Sequence, residues 1–578
     1  MHLLKLFTLG LIAVGGPELA LSAPQDTANT MAPMAMPMAS GPMASGAMVG
    51  VPLTIADWAT GAMLFDGLAR VHRPVTTTSP LAQRYFDQGM AMMWGFNHDE
   101  ATRSFAKAAL IDPHCAACFW GVALTVGPNY NMPYMTEPRA KVAREAVIRA
   151  QAEAGNASPV ERALIGALAK RYPDAHALDP GTIQPPLVAY SDAMRMVSAQ
   201  FDDLDVETLH AEALMNLHAW KLWAPDGTAA PGTYEIVATL EDVLAEDPDH
   251  VGANHYYVHA MESSPHPEAA VASAERLKTL APAEGHLVHM PSHIFQRIGR
   301  YEDAAQANRK AVLADQRYAA QTTPPDYYAM YTGHNYQFLA FSAAMAGHQA
   351  ESIAAADASR ATLSDTMAIG MAGVDWYIAE VYLARVRFGR WADLLAMPQP
   401  DARLPGLTGG YLYGRAMAQA ATGRVADARL TLTRLNALRA ELTPDVTAGQ
   451  NRLSDVLAIA VPMIEARIAA ADHRPADQVA WLRKAVAAED TMAYDEPRNW
   501  FAPTRHALGA ALLAAHDPAG AEAVYRADLQ QNPRNGWALH GLVAALTAHG
   551  KAADAAGAKA DFTRSWQLAD VTPATSEF

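Results

Sequence analysis

The segment AQRYFDQGMAMMWGFNHDEATRSFAKAALIDP, residues 82–113, decides how the chain folds. Apolar and small residues recur in it at spacings of three and four, the period of a helix with one buried face. The same period runs from about residue 75 almost to the C-terminus, alanine is abundant, and glycine or proline falls mainly between the runs. Strand-like alternation is nearly absent. Many helices of about 12–15 residues joined by short turns predict an all-α solenoid of stacked antiparallel helix pairs.

Within the opening segment, Tyr85, Gly89, Met92, Ala101, Phe105, Ala108 and Pro113 fall at positions 4, 8, 11, 20, 24, 27 and 32 of the tetratricopeptide pattern. Small residues at 8 and 20 let the paired helices approach closely, the aromatic at 24 fills the space between repeats, and the proline ends the second helix. The pattern returns from Ala502 with Leu508, Gly509, Ala521, Tyr525 and Pro533. A following unit from Gly536 has Leu542, Gly550 and Ala555, and a weaker one near Gly409 has Ala416, Gly423 and Ala428. The chain therefore resembles the tetratricopeptide repeat family. With "RSFAKAALIDPHCAACFWGVALTVGPNYN", "HYYVHAMESS", "GHLVHMPSHIFQRIGRYEDAAQAN" and "YDEPRNW", it looks like a long-chain bacterial subfamily related to human tetratricopeptide repeat protein 38. The resemblance covers most of residues 75–560 and implies a fold, with little about chemistry.

The 578 residues carry 60 acidic side chains against 44 Lys and Arg, a formal charge of -16, which argues against nucleic acid as the main partner. At the N-terminus, Lys5 precedes an apolar run from Leu6 to Gly16, and Ala20 and Ser22 offer small residues for cleavage. Residues 1–22 are expected to be a signal peptide, which predicts a periplasmic or secreted protein with no membrane insertion. Residues 23–74 are expected to be a disordered leader, in which Met31, Met34, Met36, Met38, Met43 and Met48 could capture copper through thioethers. The remaining plan is a superhelix over residues 75–394 with a histidine-rich groove, then further repeats over 395–565. Proline-rich breaks fall at 173–186, 322–333 and 395–410, and a capping box is expected at Ser158-Pro-Val-Glu161.

The candidate chemistry lies in "HYYVHAMESS", residues 255–264, and "HLVHMPSHIF", residues 286–295. His255 and His259 take positions 5 and 9 of one unit, and His289 and His293 take the same positions 34 residues later. Spacing of four keeps each pair on one helical face. The resemblance implies that positions 2, 5, 9 and 12 face the concave groove. Glu262 is at position 12, His286 and His334 are at position 2 of their units, and His218 extends the generous count. Adjacent helices could supply imidazoles to one transition metal, with copper or iron favoured and zinc acceptable. Glu262 could complete the ligand set, hold a tautomer or act as catalytic base. If the helix starts only at His289 or Met290, Pro291 is tolerated in its first turn and His286 lies in the turn before it.

Other features carry weaker readings. Cys115 and Cys118 could be a redox pair, soft-metal ligands or buried thiols. The loop 127–134, GPNYNMPY, with Trp94 and Trp120 near it in sequence, could contact an organic ligand or be a packed turn. The HExxH motif, paired ExxH helices, nucleophile elbow, Walker loop and dinucleotide fingerprint are missing. Three functions remain: an exported metalloprotein, with an oxidoreductase or hydrolase activity of unassigned substrate; a non-catalytic scaffold whose groove takes a small molecule, a peptide or a protein partner; and a metal-handling protein.

Overall fold

Consecutive helices pack against one another in antiparallel pairs from Pro80 to Ser565, as the helical period predicts. The computed structural model describes residues 51–577 apart from 179, 180, 325–327 and 372. Residues 1–50, with the expected signal peptide and the six leader methionines, lie outside the described residues. Among the described residues the one named sheet is a two-stranded ribbon at Thr447–Ala448 and Asn451–Arg452. No described helix is long and apolar enough to cross a membrane.

The first pair, Pro80–Trp94 and His98–Ile111, begins at Ser79, whose hydroxyl accepts from the Ala82 amide 3.3 Å away, with Pro80 in the first turn. At the other end of the solenoid, Thr504–Ala514 pairs with Pro518–Gln531, and Gly536–Ala548 with Ala552–Ser565. The capping box at Ser158 and Glu161 has both halves in place. The two strongest repeats share one packing device. Phe105 lies so close to Gly89 and Gly121 that a methyl group on either would overlap its ring, and Tyr525 does the same between Gly509 and Gly541. In each case the aromatic at position 24 fills the space between position 8 of its own repeat and position 6 of the next.

Two expectations need correction. Residues 51–74 do not extend the leader: Ile55 and Trp58 are buried in the core, and Arg73 pairs with Asp203 at 2.8 Å and Asp205 at 2.9 Å. Apolar side chains and a matched ion pair anchor this stretch, in which 13 of 24 residues are hydrophobic. The apolar interior forms two clusters that meet near residues 301–305. The long helix Tyr301–Gln321 contributes to both cores. Finally, the breaks are shorter than predicted, because helices start at Tyr328 and Pro405 inside the second and third.

The C-terminal repeats fold back on the middle of the chain. The Trp537 indole donates to the Ala344 carbonyl at 2.8 Å, and Asp570 accepts from the Gln349 and Ala350 amides at the start of Gln349–Thr362. The Trp376 indole donates to the Asn499 carbonyl at 3.1 Å, which fixes the irregular segment around residues 493–503 against the interior. This closure decides the environment of the histidines.

Candidate metal centre

His255 and His259 project from the helix Val251–Met261, and Glu262 is its C-terminal cap. The next repeat opens with two short helical pieces, Gly285–His289 and Pro291–Arg297, joined at Met290. Helix therefore begins already at Gly285, and His286 and His289 ride on the first piece. Gly285 is required there: any Cβ would run into the Asp315 carboxylate of the helix packed against it. His293 lies on the second piece and His334 on Tyr328–Ala346.

All seven predicted site residues come together, but not in an open groove and not around one point. His255, His259, Glu262, His289 and His293 are at most 1% exposed, and His286 is 6% exposed. The groove is filled from both sides. Phe96 packs on His255 with ring centroids 4.6 Å apart, Tyr130 lies 5.3 Å from His259, and Phe338 lies 4.7 Å from His293. The first half of the loop 127–134 thus closes over the cluster, with Tyr130 buried between Trp220 and His259, while Tyr134 at its end is exposed. His218, at the end of a short 3-10 turn, belongs to none of the clusters.

The donor atoms form three groups, each within 4.8 Å: His255, His259 and His286; His289, His293 and His334; and Glu262, His293 and Glu496. Glu496 was not foreseen. It comes from the "YDEPRNW" segment and is buried with neither carboxylate oxygen in a directed hydrogen bond.

The outer nitrogen of five rings meets oxygen. The Nδ1 atoms of His255, His259, His289 and His334 lie 2.5 Å from the Trp94 carbonyl, 3.1 Å from Glu262 Oε1, 2.6 Å from Asn308 Oδ1 and 3.3 Å from Gln337 Oε1. His293 Nδ1 lies 2.9 Å from Glu262 Oε2 and also contacts Glu496. A carbonyl or ionised carboxylate can only accept, so the hydrogen bonds at His255, His259, His289 and His334 put the proton on Nδ1 and leave Nε2 as a free lone pair, and the charge of Glu262 beside His293 Nδ1 favours the same tautomer there. Asn308 is itself held by donating to the Ala304 carbonyl at 2.8 Å, which turns its oxygen toward His289.

The inner nitrogens then face each other. His289 Nε2 is 2.7 Å from His293 Nε2, and His255 Nε2 is 3.1 Å from His286 Nε2. His259 Nε2 is buried without a partner. Two imidazole nitrogens bound to one tetrahedral ion at about 2.1 Å stand about 3.4 Å apart. To take such an ion the His255 and His286 nitrogens would part by about 0.3 Å and those of His289 and His293 by about 0.7 Å, with oxygen acceptors behind the ligands as such sites need.

Burial, reinforced by neighbouring imidazoles, pushes His255, His286 and His289 well below the ordinary histidine value, and His334 down to about 3. His293 is also lowered by burial, against the pull of Glu262. Burial alone would raise the Glu262 carboxyl, but His259 and His293 hold it below the usual range. Burial and the Glu262 charge push Glu496 well above it. With one oxygen beside each of two rings, Glu262 has the geometry that the tautomer-holding role among its expected roles requires.

The cysteine pair is placed elsewhere. Cys115 and Cys118 form a buried disulfide at the start of Ala116–Thr125, which removes both sulfurs as thiolate ligands.

No family model matches the chain, and no curated protein matches it. Similarity is confined to solved structures. The TPR domain of P58(IPK) matches at 12% identity and a TM-score of 0.21, over 82% of this chain and 99% of that one. The human IFIT1 dimer with m7Gppp-AAAA matches at 11% identity and 0.30, over 86% and 92%. Cut9 in the APC/C Cut9-Hcn1 hetero-tetramer matches at 12% and 0.29, over 84% and 76%. Scores this low carry no argument. The tetratricopeptide-type solenoid rests on the helix pairing and the aromatic–glycine contacts described above.

Proposed function

We propose that this solenoid is a metal-holding protein whose buried histidine centre binds a transition metal. One observation carries the reading: His289 and His293 turn their Nε2 atoms toward each other at 2.7 Å while oxygen occupies the far side of both rings. Lone pairs so placed repel unless a cation lies between them, and neutral imidazole suits copper, iron, nickel or zinc. A bulky substrate has no room beside ligands this deeply buried. The reading therefore favours metal handling or electron exchange over the hydrolase alternative. Export by residues 1–22 belongs to the same proposal, and would deliver the chain to a compartment where the Cys115–Cys118 disulfide persists.

The architecture supports a second reading, a non-catalytic scaffold whose outer surfaces take a protein partner, because stacked helix pairs present extended surfaces. Elemental analysis of full-length protein purified without a histidine tag separates the two. Bound copper, iron, nickel or zinc supports the metal reading. A metal-free protein that also fails to take up Zn2+ or Cu2+ after dialysis leaves the scaffold alone.

A further inference from the structure

The six imidazoles gather as two sets of three, and no histidine set spanning both comes together. An ion with ligand bonds of about 2.1 Å holds all its donors within about 4.2 Å of one another. One ion cannot serve both sets. We propose that the centre is binuclear: one transition-metal ion on His255, His259 and His286, a second on His289, His293 and His334, with Glu262 coupling the two. This proposal rests on the metal reading above and adds the number and linkage of the ions.

The coupling is visible in the Glu262 carboxylate. Its Oε1 lies 3.1 Å from His259 Nδ1 and its Oε2 lies 2.9 Å from His293 Nδ1, so one rigid group orients one ring of each triad. A change of charge or position at one ion is transmitted to the other through this group. Each triad also has its own support, the Trp94 carbonyl behind His255 and Asn308 behind His289.

Charge points the same way. Two divalent ions in a closed interior need anionic compensation, because an uncompensated buried charge is strongly unfavourable. Six imidazoles supply none. Glu262, buried beside His259 and His293, supplies one negative charge where one triad approaches the other, and Glu496, buried beside His293, supplies a second on giving up its proton as an ion binds. Glu262 serves both triads whereas Glu496 lies only at the second, so that position holds its ion more tightly and fills first.

The test uses untagged full-length protein, stripped with a chelator and titrated with Zn2+ under calorimetry, then dialysed and assayed for metal. Wild type should hold two ions per chain, in one tight and one weaker step. The variant His255→Ala/His286→Ala should hold one, in the tight step, and His289→Ala/His334→Ala should hold one, in the weaker step. A wild-type content of one ion overturns the binuclear centre and leaves the metal reading standing; a content of zero overturns both. Should either variant fail to fold, Cu2+-loaded wild type decides alone. Two coupled ions give a resonance signal well below the measured copper content, whereas a signal matching full copper content shows isolated ions and removes the coupling.

Discussion

The Nε2 atoms of His289 and His293 lie 2.7 Å apart, on rings from two short helical pieces that meet at Met290. Removing either ring should remove the metal from this triad. Binding at a hundredfold excess over Kd contributes about 2.7 kcal/mol to stability. Stripped wild type should therefore show a rise in Tm on adding Zn2+ or Cu2+, and His293→Ala should lose most of it. An equal rise in the variant would place the binding elsewhere.

Asn308 acts through His289. Its oxygen accepts from Nδ1 at 2.6 Å, and its amide is tied to Ala304. Groups behind a ligand imidazole are typically worth 10–100-fold in metal affinity. Asn308→Ala should weaken metal binding by that factor while leaving the circular dichroism of the stripped protein unchanged. An unaltered affinity would show that this hydrogen bond only packs the helix.

Asn308 also shows how much of the centre was legible. With Gly285 at position 1 it occupies position 24, where Phe105 and Tyr525 stand in the regular repeats, so a buried amide there breaks the pattern visibly. The histidine pairs were legible because a shared face follows from spacing and a shared level follows from the 34-residue period. Glu496 was not, since its approach to His293 depends on the irregular segment near residue 496 folding back across the solenoid, and periodicity says nothing about irregular backbone. The same long-range packing hid the closure of the groove by Phe96, Tyr130 and Phe338. The division into two triads depends on side-chain directions, which repeat positions fix only to a face.

The aromatic–glycine contacts make the solenoid itself testable. Tyr525 occupies the space a methyl group on Gly541 would need. Gly541→Ala forces the ring or the next helix to move, and overpacking of this kind costs about 1–3 kcal/mol. Urea unfolding should show a lower midpoint for Gly541→Ala, whereas Gly557→Ala, at a site with open space, should leave it unchanged or raise it. Equal effects at both sites would remove the packing role.

Cys115–Cys118 closes a loop of four residues, for which the chain-entropy estimate is about 2 kcal/mol. Cys115→Ser/Cys118→Ser should lower stability by no more than that and leave metal content unchanged, because neither sulfur belongs to the histidine clusters. A loss of metal in this variant, with helicity intact, would reinstate the sulfurs as ligands.

Asp315 gives the pH dependence its sign. It is 2% exposed and accepts from Tyr328 at 3.0 Å and Asn335 at 2.8 Å. Burial, only partly offset by those hydrogen bonds, pushes its carboxyl up from 3.8 to about 7. The folded chain therefore binds this proton more tightly than the unfolded chain. Its contribution is fully present below pH 3.8 and is lost as the pH rises toward about 7. At about 1.4 kcal/mol per pH unit, that interval corresponds to at most roughly 4 kcal/mol. Denaturation of chelator-treated protein between pH 4 and 8 should show stability falling with pH, and Asp315→Asn, which cannot ionise, should flatten the slope. An unchanged slope in the variant would assign the dependence to another buried carboxyl.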